Sequence, residues 1–146
     1  LSENRHGLIV DVHTTQATGT AEREAAKVML ERRPAPRHAD RPITVGADRG
    51  YDVAEFIEAL QDMNMVPHVA AKTQGSAVPE AIKETEGYAV SLRRRKMIEE
   101  AFGWVKEIGT LGRVMLRGLD RIRGEVLLNF AAYNLVRLGN LLAPSR

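Results

Sequence analysis

Two hydrophobic rhythms alternate along the chain. Leu8, Ile9, Val10 and Val12 form a β-branched run, which predicts a buried strand reaching about Thr14, with Asp11 on its solvent side. Thr20 then reads as a helix N-cap, with Glu22 and Glu24 in the first turn and Ala25, Val28 and Met29 as the apolar stripe. Arg32 and Arg33 close that helix and Pro34 and Pro36 stop it, leaving a polar loop over Ala35–Pro42. Ile43–Ala47 predicts a second strand, which delivers Asp48 at its C-terminal end. Asp52 with Glu55 three residues on resembles a capping box, opening a helix with Phe56, Ile57 and Leu60 as its core face and an end near Asn64. Val66–Ala70 is a third short strand, its Pro67 suited to an edge or a strand start.

The second half is helical. Ala71–Tyr88 reads as a surface loop with one helical turn at Pro79–Lys83. Ser91–Gly109 reads as one amphipathic helix with two stripes. Arg95, Glu99, Phe102 and Lys106 share one face, and Ile98, Ala101, Val105 and Ile108 make the adjoining apolar side. Thr110–Gly118 is a connection holding Arg113 and Arg117, with room for a short strand. Leu119–Leu142 predicts a final helix, apolar along Ile122, Val126, Phe130, Tyr133 and Val136 and ended by Gly139 and Pro144. Strands alternating with helices predict one α/β domain over residues 1–146, a sheet with helices packed on it.

Composition changes this picture little, and charge changes it more. The 146 residues include 44% hydrophobic and 27% charged residues, ordinary for a globular domain. Residues 1–91 carry 10 Lys and Arg against 14 Asp and Glu, whereas residues 92–146 carry 11 against 5. A basic C-terminal third suits a phosphate-backbone partner, and it also occurs on surfaces that bind nothing. The absence of cysteine excludes disulfides and thiolate metal sites and is compatible with a cytoplasmic setting. The most apolar stretch, Val126–Leu142, is interrupted by Asn129, Asn134, Arg137 and Asn140, so it reads as a buried helix rather than a membrane span. The four histidines show no metal-ligand spacing.

Arg95, three residues, Glu99, six residues and Lys106 reproduce the spacing of the last catalytic block of bacterial insertion-sequence transposases of the DDE type, in the insertion-sequence-five-like group with a Tyr-Arg-Glu-Lys signature. Leu92 stands where the tyrosine of that signature falls. The flanking IEEAFGWVK, and RGLDRIRG and AAYNLVRL further on, also resemble this family, as does VGADRGYD around Asp48. The resemblance implies a ribonuclease-H-like fold with a mixed sheet. It implies three acids: an Asp on the first strand, an Asp at a later strand end and a Glu on a helix. By resemblance Asp48 is the second acid and Glu99 the third, both ligands to Mg²⁺ or Mn²⁺ in cleavage and strand transfer of DNA.

Two divalent ions can clamp the attacking and leaving oxygens of such a displacement, and hard carboxylate oxygens suit Mg²⁺. Arg95 and Lys106 belong to the signature and would hold a phosphate or orient Glu99; on spacing alone they also serve as ordinary helix-surface ion-pair partners. Arg93, Arg94 and Lys96 are phosphate-contact candidates, or a solvated helix start. Trp104 is a base-stacking candidate, or a packing residue. No block matching the first acid lies within Leu1–Arg146, and Asp11 falls in the wrong block. The expectation is therefore an N-terminally truncated catalytic domain lacking its first strand, weak or inactive alone, whose partners are transposon ends and target DNA, with a homo-oligomer left open. The alternative is a non-catalytic remnant that binds DNA or a transposase subunit.

Overall fold

Ile43–Ala47 (β1) and Met65–Val69 (β2) pair in parallel, with Ile43 opposite Met65 and Ala47 opposite Val69. Parallel strands need a crossover, and the helix Ala54–Asp62 (α2) supplies it. The computed structural model describes residues 1–33 and 42–143. The prolines at 34, 36 and 144 and the loop predicted over 35–42, Pro42 aside, lie outside the described residues. The chain divides into two compact units, Glu22–Lys96 and a discontinuous one made of Leu1–Ala21 with Met97–Arg146.

The Glu22–Lys96 unit is built on that strand pair. Phe56, Ile57 and Leu60 bury the inner face of α2, as their spacing predicts. The helix stops where Asn64 turns left-handed at φ 56°, a conformation Asn tolerates at a helix end. β2 is buried at Met65, Pro67, His68 and Val69, under α2, Glu80–Lys83 (α3) and Glu86–Arg94 (α4). Pro67 sits in the strand interior, not at its start; a two-stranded sheet has an open edge on each strand, so the missing N–H costs no ladder bond. Ala21–Glu31 (α1) begins after Thr20 as predicted but ends before Arg32 and Arg33.

Two expectations fail here for local reasons. The N-cap of α2 is Val53, with no side-chain cap, because Asp52 turns inward to other partners. The segment Glu86–Tyr88, expected as loop, is helical: the Thr85 hydroxyl accepts the Tyr88 N–H (3.2 Å) and donates to the Ile82 carbonyl (2.7 Å), which starts α4 early.

The helix predicted over Ser91–Gly109 is two helices. α4 ends at Arg94 and Met97–Glu107 (α5) begins after Arg95 and Lys96. Four successive cations followed by Glu99 and Glu100 suit a helix C-terminus followed by a new N-terminus, since the helix dipole favours each charge there.

In the discontinuous unit, α5 and Leu119–Leu142 (α6) share a core of Ala101, Val105, Phe130 and Tyr133, against which Ile9, Val12, Trp104, Leu111 and Val126 pack. The predicted strand over Leu8–Thr14 does not form. The backbone of Ile9 is claimed instead by a side chain: Ile9 N–H donates to Asn134 Oδ1 (2.8 Å) and Asn134 Nδ2 donates to the Ile9 carbonyl (2.7 Å). Only an isolated antiparallel bridge, Ser2 to Ile9, is present there among the described residues, so no mixed sheet is seen. Arg137 Nε donates to the His6 carbonyl (2.8 Å) and the Tyr133 hydroxyl to that of Gly7 (3.3 Å). The AAYNLVRL motif thus clamps residues 6–9 onto α6.

Between α5 and α6 the chain makes a 3₁₀ turn at Leu111–Arg113 and no strand. Buried Asn129 holds it: Oδ1 accepts the Thr110 N–H (2.8 Å), while Nδ2 donates to Thr110 Oγ1 (2.9 Å) and to the Glu125 carbonyl (2.9 Å). Gly109 and Gly112 permit this close approach, since a Cβ at the first would collide with Asn129 Oδ1 and at the second with the Lys106 carbonyl.

α6 matches its predicted span but is not the buried helix expected. Asn129, Phe130 and Tyr133 are buried, whereas Val136 is exposed and Leu128, Leu135 and Leu142 are exposed by 71%, 72% and 81%. Ile108 also falls outside the core, past the end of α5. No described helix is long and apolar enough to cross a membrane.

Candidate functional site

Asp48 stands at the C-terminal end of β1, exposed and in extended backbone (φ −78°, ψ 177°). Strand ends of this kind open onto crevices where ligands bind in α/β sheets. Its Oδ1 accepts the Gly50 N–H at 2.9 Å and so caps the 3₁₀ turn Arg49–Tyr51, leaving Oδ2 without a hydrogen bond among the described residues. Burial, then the charges of Glu22 and Asp48, push the half-buried Tyr51 hydroxyl above its usual range.

Four residues on, Asp52 has the opposite fate. It is 1% exposed, and its carboxylate accepts N–H groups from Lys72 (2.6 Å) and Ala77 (2.8 Å). Burial works to raise its pKa, but the hydrogen bonds from Lys72, Ser76 and Ala77 outweigh it and hold the carboxyl below the ordinary aspartate range. Asp52 is the strut of the 71–77 loop. Sequence reading missed this because a helix-cap role explained the residue locally.

The same unit holds a buried pair that the sequence did not flag. His68 Nδ1 and Ser91 Oγ share a hydrogen bond of 2.6 Å, with the Tyr88 ring edge-on to the imidazole at 5.8 Å. Burial holds the His68 pKa below its usual value. Tyr88 in turn donates to the Val69 carbonyl (2.9 Å) and accepts the Ala71 N–H (3.1 Å). This cluster fixes α4 against β2, and with it the basic end of α4. Arg93 and Arg94 lie exposed in the last turn, Arg95 is the half-buried C-cap and Lys96 is exposed just beyond.

Glu99 is exposed in the first turn of α5 and makes no ion pair or hydrogen bond among the described residues of its unit. Lys106 is exposed in the last turn of the same helix. Phe102 lies between them, 46% exposed, its ring edge-on to Phe130 at 5.4 Å. Glu99, Phe102 and Lys106 therefore share the solvent face of α5, as predicted. Arg95 does not belong to that helix, because the break at Arg95 and Lys96 intervenes. Trp104 is half-buried and edge-on to Tyr133 at 5.8 Å, against the core.

Among the described residues, Asp48 and Glu99 thus each present a carboxylate oxygen without a partner, the hard-donor chemistry that Mg²⁺ takes. Among the described residues no three acids or histidines cluster as a metal cage.

The family model described as "Transposase DDE domain" matches residues 1–135. No curated protein and no solved structure matches the chain.

Proposed function

The chain belongs to the transposase DDE domain family, and we propose that it serves DNA transposition through metal-dependent cleavage and strand transfer on a ribonuclease-H-like fold. The observation that carries this reading is the family match over residues 1–135. The insertion-sequence-five-like signature adds the residue assignments. Asp48 and Glu99 are the metal-binding acids, and among the described residues each keeps a carboxylate oxygen without a hydrogen bond, whereas Asp52 is consumed by the fold. When bound, Mg²⁺ or Mn²⁺ would stabilise the charge developing on the phosphoryl oxygens. Arg93, Arg94 and Lys96 hold DNA phosphates, which position the duplex without reading its sequence. Lys106 presents a cation on the face of α5 that carries Glu99, and Arg95 supports the same phosphate contacts from the end of α4. Such chemistry uses a third carboxylate, for which residues 1–146 hold no match, so the chain alone is expected to show weak strand transfer or none.

The test is titration of the chain with Mg²⁺ and Mn²⁺, followed through the amide signals of Asp48 and Glu99. Shifts at both residues, each abolished by its own variant (Asp48→Asn or Glu99→Gln), support the assignment. Silence at both in a folded sample overturns it.

A further inference from the structure

Arg113, Arg117, Arg121 and Arg123 fall within eleven positions that contain one acid, Asp120. All four are exposed, and among the described residues none of their guanidinium groups has an ion pair or hydrogen bond. Three apolar side chains separate the first two. Val114 and Leu116 are exposed, and Met115, two residues from an arginine on either side, is 82% exposed. The base of this segment is nevertheless rigid. Asn129 pins Thr110 with two hydrogen bonds, the Thr110 hydroxyl donates to Glu125 Oε1 (2.7 Å), and Gly112 sits tight on the Lys106 carbonyl. At the other end Gly118 is the N-cap of α6 and supplies no side-chain cap.

A segment held at its root, with guanidiniums unpaired among the described residues and an exposed Met between two of them, suits a polyanion with apolar interior surface. Duplex DNA offers both: phosphates for the arginines and base steps into which a Met can wedge.

We propose that Arg113–Arg123 grips duplex DNA, with Arg113 and Arg117 on phosphates to either side of Met115, whose side chain inserts between base steps from the minor groove. This rests on the reading of the chain as a DNA-acting protein. It adds a contact surface separate from the Arg93–Lys96 run, which has cations but no interleaved wedge.

The test uses the full chain with a short mixed-sequence duplex carrying 2-aminopurine. Affinity is measured against salt concentration, and base unstacking is read as a rise in fluorescence. The wild type should bind and raise the fluorescence. Arg113→Gln with Arg117→Gln should lower the slope of log affinity against log salt by about 1.8, or about 0.9 for each phosphate no longer neutralised. Met115→Gln should keep the slope and abolish the fluorescence rise. Circular dichroism checks that both variants are folded. If the double Arg variant keeps the wild-type slope while Arg93→Gln with Arg94→Gln lowers it, this proposal is overturned and the DNA reading stands. A fluorescence rise that survives Met115→Gln overturns the wedge. No binding by the wild type overturns both the proposal and the reading beneath it.

Discussion

Asp48 and Asp52 stand four residues apart and meet opposite surroundings, and their variants should separate accordingly. Asp52→Ala leaves the partly buried Lys72 and Ala77 N–H groups without their acceptor, and is expected to cost about 1–3 kcal/mol in urea unfolding. Asp48→Asn keeps an acceptor for the Gly50 N–H and should stay within about 0.5 kcal/mol of wild type. Acid sensitivity follows from the same carboxylate. With its folded pKa below the unfolded value of about 3.9, Asp52 contributes stability that is present above that pH and is lost as pH falls through the lower folded value. His68 has the same sign at milder pH. Its neutral form is favoured by burial, so its contribution is complete above about pH 6.5 and declines below it. Unfolding midpoints measured on either side of that value should fall toward acid in the wild type, and should fall much less in His68→Gln.

At the scale of elements, what was legible in the sequence was what local pattern alone decides. β1, β2, α2 and α6 carry strong periodicity or clear stops, and they form where the pattern puts them. The errors come where a distant side chain overrides a local preference. Leu8–Val12 has strand-forming residues, yet Asn134, far along the chain, takes both backbone groups of Ile9. Asp52 looks like a cap until the 71–77 loop claims it. The apolar face of α5 was legible at Ala101 and Val105, but the break at Arg95 and Lys96 was not, because amphipathic spacing runs straight through it. For the candidate site, motif resemblance made Asp48 and Glu99 candidates; that Asp48 is exposed while Asp52 is buried and bonded became visible only in the fold. Asn134→Ala should release the backbone of Ile9 from α6, at a cost of about 2 kcal/mol. Amide exchange should register it as faster exchange at Ile9, with the amides of β1 and β2 unchanged.

For the whole molecule, the division into two units gives each its own probe. Trp104 is the single tryptophan and packs in the unit that contains α5 and α6. Asp52 belongs to the other. Asp52→Ala should therefore lower the urea midpoint of the β1 and β2 amides while leaving the midpoint of tryptophan fluorescence within error, provided each unit unfolds as its own cooperative block. Coincident shifts by both probes would show a single transition instead. The Trp104 unit is also interrupted in sequence: its first strip, Leu1–Ala21, is separated from the rest by all of Glu22–Lys96. On a ribosome, that strip emerges before Glu22–Lys96 and must wait for α6, whose Tyr133, Asn134 and Arg137 hold it. Closing so long a gap in an unstructured chain costs about 4 kcal/mol of entropy, and earlier folding of Glu22–Lys96 would shorten the gap. The order of synthesis would thereby set an order of assembly, and a ribosome stalled before Tyr133 would carry residues 6–9 untethered.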